Sequence, residues 1–132
     1  EYIEGVCDHI IGLSSAVKHQ RMCVKVGDGA PLIRDRIINQ LILRGFVTIQ
    51  VSEYKTSFGS RVKTHLRAAT RIALMSGERV YKIRELNPTE GDLKEIQRQS
   101  RIISSGGLTI STELARLVAC GEITMEDAIR KA

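Results

Sequence analysis

Only three of the 132 residues are cysteine, Cys7, Cys23 and Cys120. They form an odd, scattered set and therefore a poor disulfide framework. They read as reduced thiols, so the expected location is the cytoplasm or another reducing intracellular compartment. No apolar run approaches the roughly 18 residues that span a bilayer, and the N-terminus lacks the charged, apolar and small-residue sequence of a signal peptide. No membrane span is expected. Internal repeats and low-complexity tracts are also missing, which excludes solenoids and disordered arrays.

Catalytic signatures are equally scarce. Gly27-Asp28-Gly29 lies between a strand and a helix start, yet it has neither the full dinucleotide fingerprint nor a P-loop ending, and Asp28 opposes an anion there. It reads as a turn. Cys7, His9, His19 and Cys23 have the residue types of a tetrahedral zinc site, but their spacing lacks a Cys-x-x-Cys knuckle. Reduced cysteines and surface histidines account for them, and neither metal nor cofactor is expected. No Gly-x-Ser-x-Gly elbow accompanies the serines and histidines. The carboxylate pairs Glu90 with Asp92 and Glu126 with Asp127 fall at helix starts, where the dipole favours them. A non-enzymatic role is expected on these grounds.

What is present is an ordinary globular composition, 42% hydrophobic and 27% charged, at the length of one domain. The charge, however, is uneven. Between Tyr54 and Arg84 stand eight basic residues, Lys55, Arg61, Lys63, Arg67, Arg71, Arg79, Lys82 and Arg84, against a single acid, Glu78. The rest of the chain carries twelve basic and fourteen acidic residues, so the excess of +5 arises wholly in this central segment.

Periodicity supplies the architecture. Ile3, Val6, Ile10, Leu13 and Val17 share one face of a helix from Tyr2 to about Lys18. Met22, Val24 and Val26 alternate as in a short strand. Pro31 opens a helix striped by Ile33, Ile37, Ile38, Leu41 and Ile42, and Gly45 is placed to end it. The period then switches to two, with Val47, Ile49 and Val51 on one side and Thr48, Gln50 and Ser52 on the other, which predicts a strand and a βαβ crossover with parallel strands. After a loop at 55–59, Val62, Leu66, Ala69 and Ala73 predict the buried side of a helix whose other side carries Lys63, Arg67 and Arg71. Arg79 to Leu86 reads as a third strand with Val80, Ile83 and Tyr81 partly buried. Helices are expected at 92–103, 111–120 and 125–131, with Thr124 and Asp127 as a capping pair and Gly106-Gly107 as a flexible joint. The expected fold is a small α/β or α+β sheet of βαβαβ order with packed helices and a C-terminal helical appendage. Residues 1–88 form its core and 89–132 the appendage.

The basic segment is the strongest candidate site. Lys55, Arg61, Lys63, Arg67, Arg71, Arg79, Lys82 and Arg84 would contact phosphates, releasing counterions, while the interleaved Tyr54, Phe58 and Tyr81 would stack on unpaired bases. The plainer alternative is a wet cationic face with packed aromatics. The expected function is binding of nucleic acid, DNA or RNA.

The run from Gly107 through Gly121 to Arg130, GLTISTELARLVACGEITMEDAIR, resembles the closing helices of type II secretion and type IV pilus ATPases. Ser76 to Leu86, SGERVYKIREL, is similar to the strand before them. The family's Walker A, Walker B and histidine-box residues have no counterpart, so no ATPase residue carries over. The resemblance implies a fragment or accessory domain. It motivates the second expectation, a protein-interaction or assembly domain of a secretion or conjugation machine, with a protein partner or a homo-oligomer.

Overall fold

The computed structural model describes residues 2–16, 22–52 and 65–132. In chain order these form α1 (Tyr2–Ala16), β1 (Cys23–Gly27), α2 (Pro31–Leu43), β2 (Val47–Val51), α3 (His65–Leu74), β3 (Glu78–Val80), α4 (Glu90–Ile103), α5 (Thr112–Ala119) and α6 (Met125–Lys131). The fold is a small α+β arrangement with a C-terminal helical part, and its chain divides into two compact units, Tyr2–Arg84 and Glu85–Ala132.

In the first unit the sheet order is β1-β2-β3. β1 pairs with β2 in parallel, Cys23 opposite Val47 through Gly27 opposite Val51. The α2 crossover supplies the length that parallel neighbours require. β3 pairs antiparallel with β2, Thr48 opposite Val80 and Gln50 opposite Glu78. The sheet is mixed, with β2 at its centre. Val51 and Thr48 point to opposite faces and are both fully buried, so β2 is covered on both sides rather than wet on its polar face.

Sequence chemistry sets where α2 begins and ends. Pro31 sits in its first turn, where the missing N–H costs nothing. At its C-terminus Gly45 adopts φ 83°, its N–H donates to the Ile42 carbonyl, and that of Phe46 donates to the Leu41 carbonyl. This is the Schellman stop, in which a left-handed residue closes the last turn. Ile38 and Leu41 are fully buried, and α1 packs beside α2 with Ile3 and Cys7 buried. Burial pushes the Cys7 thiol above its ordinary pKa, and Asp8 adds to this while Arg44 opposes it.

Three expectations are corrected here. The third strand is three residues, not eight, because the chain bends at Lys82 and the main chain of Arg84 bonds to the Asn39 side chain instead of to a strand. Ile83 and Tyr81 are accordingly exposed, at 49% and 72%. Leu66, Ala69 and Ala73, expected to be buried, are all exposed, Leu66 at 76%, and α3 instead turns Ala68 and Ile72 partly inward, while Val62 lies outside the described residues.

In the second unit each helix has a polar cap. The Thr89 hydroxyl accepts from the Asp92 N–H and the Asp92 carboxylate accepts from the Thr89 N–H, a reciprocal capping box. Ser111 caps α5 and Thr124 caps α6 in the same sense. Leu93, Ile110, Ala115, Ala119 and Ala128 form the core. The extended segment at Ile110 is held by α4: the Gln97 side chain donates to its carbonyl at 3.0 Å, and the buried Ser100 hydroxyl accepts its N–H at 3.2 Å. The Gly106-Gly107 pair, expected to be a flexible joint, is a bonded helix stop. The Gly106 N–H donates to the Arg101 carbonyl, Ser105 to Ile102 and Gly107 to Ser104.

Candidate functional site

The basic residues reach the surface from two elements. On α3, Arg67 and Arg71 stand one turn apart and both are exposed. α3 is anchored to the sheet by Lys25, whose Nζ donates to the carbonyls of Ala73 at 2.9 Å and Met75 at 2.7 Å. A cation at these terminal carbonyls also meets the negative end of the helix dipole. Cys23, Lys25, Ala69, Ile72 and Ala73 line a cleft of about 240 Å³ between β1 and α3.

Arg79 lies on β3. Ladder partners share a face of the sheet, and Lys25, Ile49 and Arg79 form one such row across the three strands. Arg79 therefore belongs to the face on which α3 rests. Its guanidinium stacks on the Tyr81 ring, 4.6 Å from the centroid. Lys82 follows, exposed. Among the described residues, neither Arg67, Arg79 nor Lys82 has a carboxylate within ion-pair distance.

Arg84 differs. Its Nη1 contacts Asp35 Oδ1 at 2.8 Å, an atom that also receives Arg34 Nε at 2.9 Å. Arg34 Nη1 in turn donates to the Asp28 carbonyl at 3.2 Å. The Arg84 N–H donates to Asn39 Oδ1 at 2.7 Å, and Asn39 Nδ2 donates to the Arg84 carbonyl at 2.8 Å. Arg84 is thus a structural clasp between α2 and the chain after β3. Burial raises the Asp35 pKa, but hydrogen bonds from Arg34 and Arg84, with their charges, outweigh it and hold the carboxyl below its ordinary range.

Lys55, Arg61, Lys63, Tyr54 and Phe58 lie outside the described residues, as does His19 of the zinc set. Cys7 is buried while Cys23 is exposed, and among the described residues no three His, Cys, Asp or Glu side chains gather as a metal site. Among the same residues no helix is long and apolar enough to cross a membrane.

A larger cleft, about 780 Å³, runs along β3 and the segment that follows it. Arg79, Tyr81, Lys82 and Arg84 line it together with Asp28, Gln50, Ser52, Ser76, Gly77 and Glu78. Sequence reasoning missed the last six, since a short strand end, a turn and isolated serines carry no pattern. Gly77 is required by a close approach: a Cβ there would overlap the Gln50 carbonyl and lie 2.9 Å from Ile49 Cγ2. The Gln50 Oε1 is buried with no donor among the described residues.

Comparison with known proteins is sparse. The family described as a three helical bundle domain matches residues 89–132, about a third of the chain, the stretch that holds α4, α5 and α6. The match makes no connection to secretion or pilus ATPases. No curated protein and no solved structure matches the chain.

Proposed function

We propose that the chain is a non-enzymatic nucleic-acid-binding module, DNA or RNA, and that Arg67, Arg71, Arg79 and Lys82 meet phosphates. One observation carries this reading: the ladder row that puts Arg79 on the same sheet face as α3, so that cations far apart in sequence share one side. A surface of this kind binds chiefly by releasing counterions, so affinity falls steeply with salt. Arg84 is left out of the contact set because Asp35 already neutralises it.

Replacing Arg67 and Arg71 together by Ala is expected to weaken a labelled oligonucleotide across sequences. The slope of log affinity against log salt should fall by about 2, roughly 1 for each lost phosphate contact. Fluorescence anisotropy at several salt concentrations measures it. Binding that is absent, or indifferent to salt, overturns the reading.

A second reading, a protein-interaction or assembly domain like that of a secretion or conjugation machine, draws on Ile102 and Ile103. These are 61% and 57% exposed at the end of α4. Contiguous exposed apolar surface marks interaction sites. Light scattering should then show self-association that Ile102→Lys with Ile103→Lys abolishes; a monomer at all concentrations disposes of homo-oligomerisation.

A further inference from the structure

β3 is the last strand of the sheet, and among the described residues no strand lies beyond it. In an antiparallel ladder alternate residues turn their N–H and carbonyl groups away from the partner strand. Those that β3 turns away from β2 have no backbone partner among the described residues, nor do those of Tyr81, just past the end of the ladder at Val80. The cleft described above is bounded by every residue from Ser76 to Arg84, so free space adjoins this run along its length.

An edge of this kind pairs readily with another strand, and proteins that avoid such pairing oppose it with charge. The charges here are arranged otherwise. Glu78 and Lys82 are exposed and have no oppositely charged partner among the described residues. Between them Arg79 stands over the Tyr81 ring. Glu78-Arg79-Val80-Tyr81-Lys82 is thereby self-complementary about Val80: acid and base at the ends, cation and aromatic inside them, an apolar residue at the centre.

We infer that β3 pairs antiparallel with β3 of a second copy of this chain, across a two-fold axis at Val80 perpendicular to the sheet, so that the three strands of each copy form one continuous sheet. Directly opposed residues then share a face. Val80 meets Val80, each Arg79 meets Tyr81 of the other copy, and each Glu78 comes opposite Lys82. On one face two guanidinium groups and two rings alternate, and each ring gains a second cation beside it. The main chain bends at Lys82, and its long side chain spans the remaining gap to Glu78. Neighbouring registers lack this match. Centring on Arg79 sets that cation against itself, centring on Tyr81 sets Lys82 against Val80, and a slip of one residue turns opposed side chains to different faces. The two-fold does not exchange the faces of the sheet, so both copies of α3, with Arg67 and Arg71, rest on one side. The contact lies in the unit Tyr2–Arg84 and requires neither Ile102 nor Ile103.

Sedimentation equilibrium of the full chain over a range of concentrations tests it. An equilibrium between monomer and dimer is expected, and it should persist in Ile102→Lys with Ile103→Lys, which removes any association through α4. In that background Glu78→Lys sets two lysines against each other on either side of the two-fold, and Lys82→Glu sets two glutamates. Each single reversal should weaken the dimer by about tenfold, since symmetry counts the change twice. Both reversals in one chain should restore it, and so should mixing the two single variants, which complement each other. Because both residues are exposed, the variants should fold, which circular dichroism verifies. An effect through fold stability alone would not be rescued by mixing.

Single reversals that leave the dimer unchanged, or a mixture that does not associate, overturn the β3 contact. So does a monomer in the Ile102→Lys, Ile103→Lys background, in which case self-association of the unaltered chain leaves the α4 surface standing. A monomer in every sample removes both.

Discussion

At the scale of single residues, Asn39 is the clearest case of a side chain standing in for secondary structure. β3 ends at Val80, yet the N–H and carbonyl of Arg84 are both satisfied, by one carboxamide on α2 that is only 9% exposed. Backbone polar groups buried without partners cost about 1–3 kcal/mol each. Asn39→Ala is therefore expected to destabilise the protein by about 2–3 kcal/mol, read as a lower urea midpoint at unchanged slope. Nothing around Asn39 in the sequence announces this role. An Asn in the middle of a helix reads locally as a mild propensity cost, and its partner is forty-five residues away.

Among the elements, α3 shows how a helix of modest length is held. Little of it is covered: Leu66 and Leu74 are 76% and 83% exposed. Its carbonyl end is bound instead by Lys25 from β1. Lys25→Met keeps the apolar stem and removes the donors, and is expected to cost about 1–2 kcal/mol, the lower range for a charged hydrogen bond that is partly solvated. Hydrogen exchange should report the loss as faster exchange confined to the amides of α3. The strand and helix patterns around 22–51 were legible because one period dominates each segment and Gly or Pro punctuates the changes. The α3 stripe was misread at Leu66, Ala69 and Ala73, since periodicity names a face but does not say whether anything covers it.

Over the whole molecule, the acid limb of stability follows from carboxylates held below their ordinary pKa. Asp35 is lowered by Arg34 and Arg84 against the pull of burial. The hydrogen bond from Arg98 takes Glu95 down to about 2, and Asp127 is lowered by the hydroxyl and N–H of Thr124. The unfolded chain binds more protons than the folded one between the depressed and ordinary values. The stabilisation is therefore complete above about pH 4 and is lost as pH falls through the folded-state values. Glu95 and Asp127 lie at the surface, where solvent screens their contribution, so Asp35 should dominate. Melting temperature is expected to drop below about pH 4, and Asp35→Asn should lower it at neutral pH while flattening the acid limb. An unchanged pH profile in that variant would assign the acid loss elsewhere.

Amphipathic period, turn residues and capping residues act over distances of three or four positions, and they suffice for the helices, the parallel strand pair and the helical character of the C-terminal part. The clustering of positive charge along the chain was equally apparent from composition. Contacts across the sheet and between α2 and the chain after β3 were not, because they depend on register and on where the chain bends. Only the folded arrangement set Arg79 on the sheet face that carries α3 and withdrew Arg84 to Asp35. Charge is a property of each residue, whereas its availability to a ligand depends on which neighbours the fold brings within a few ångströms.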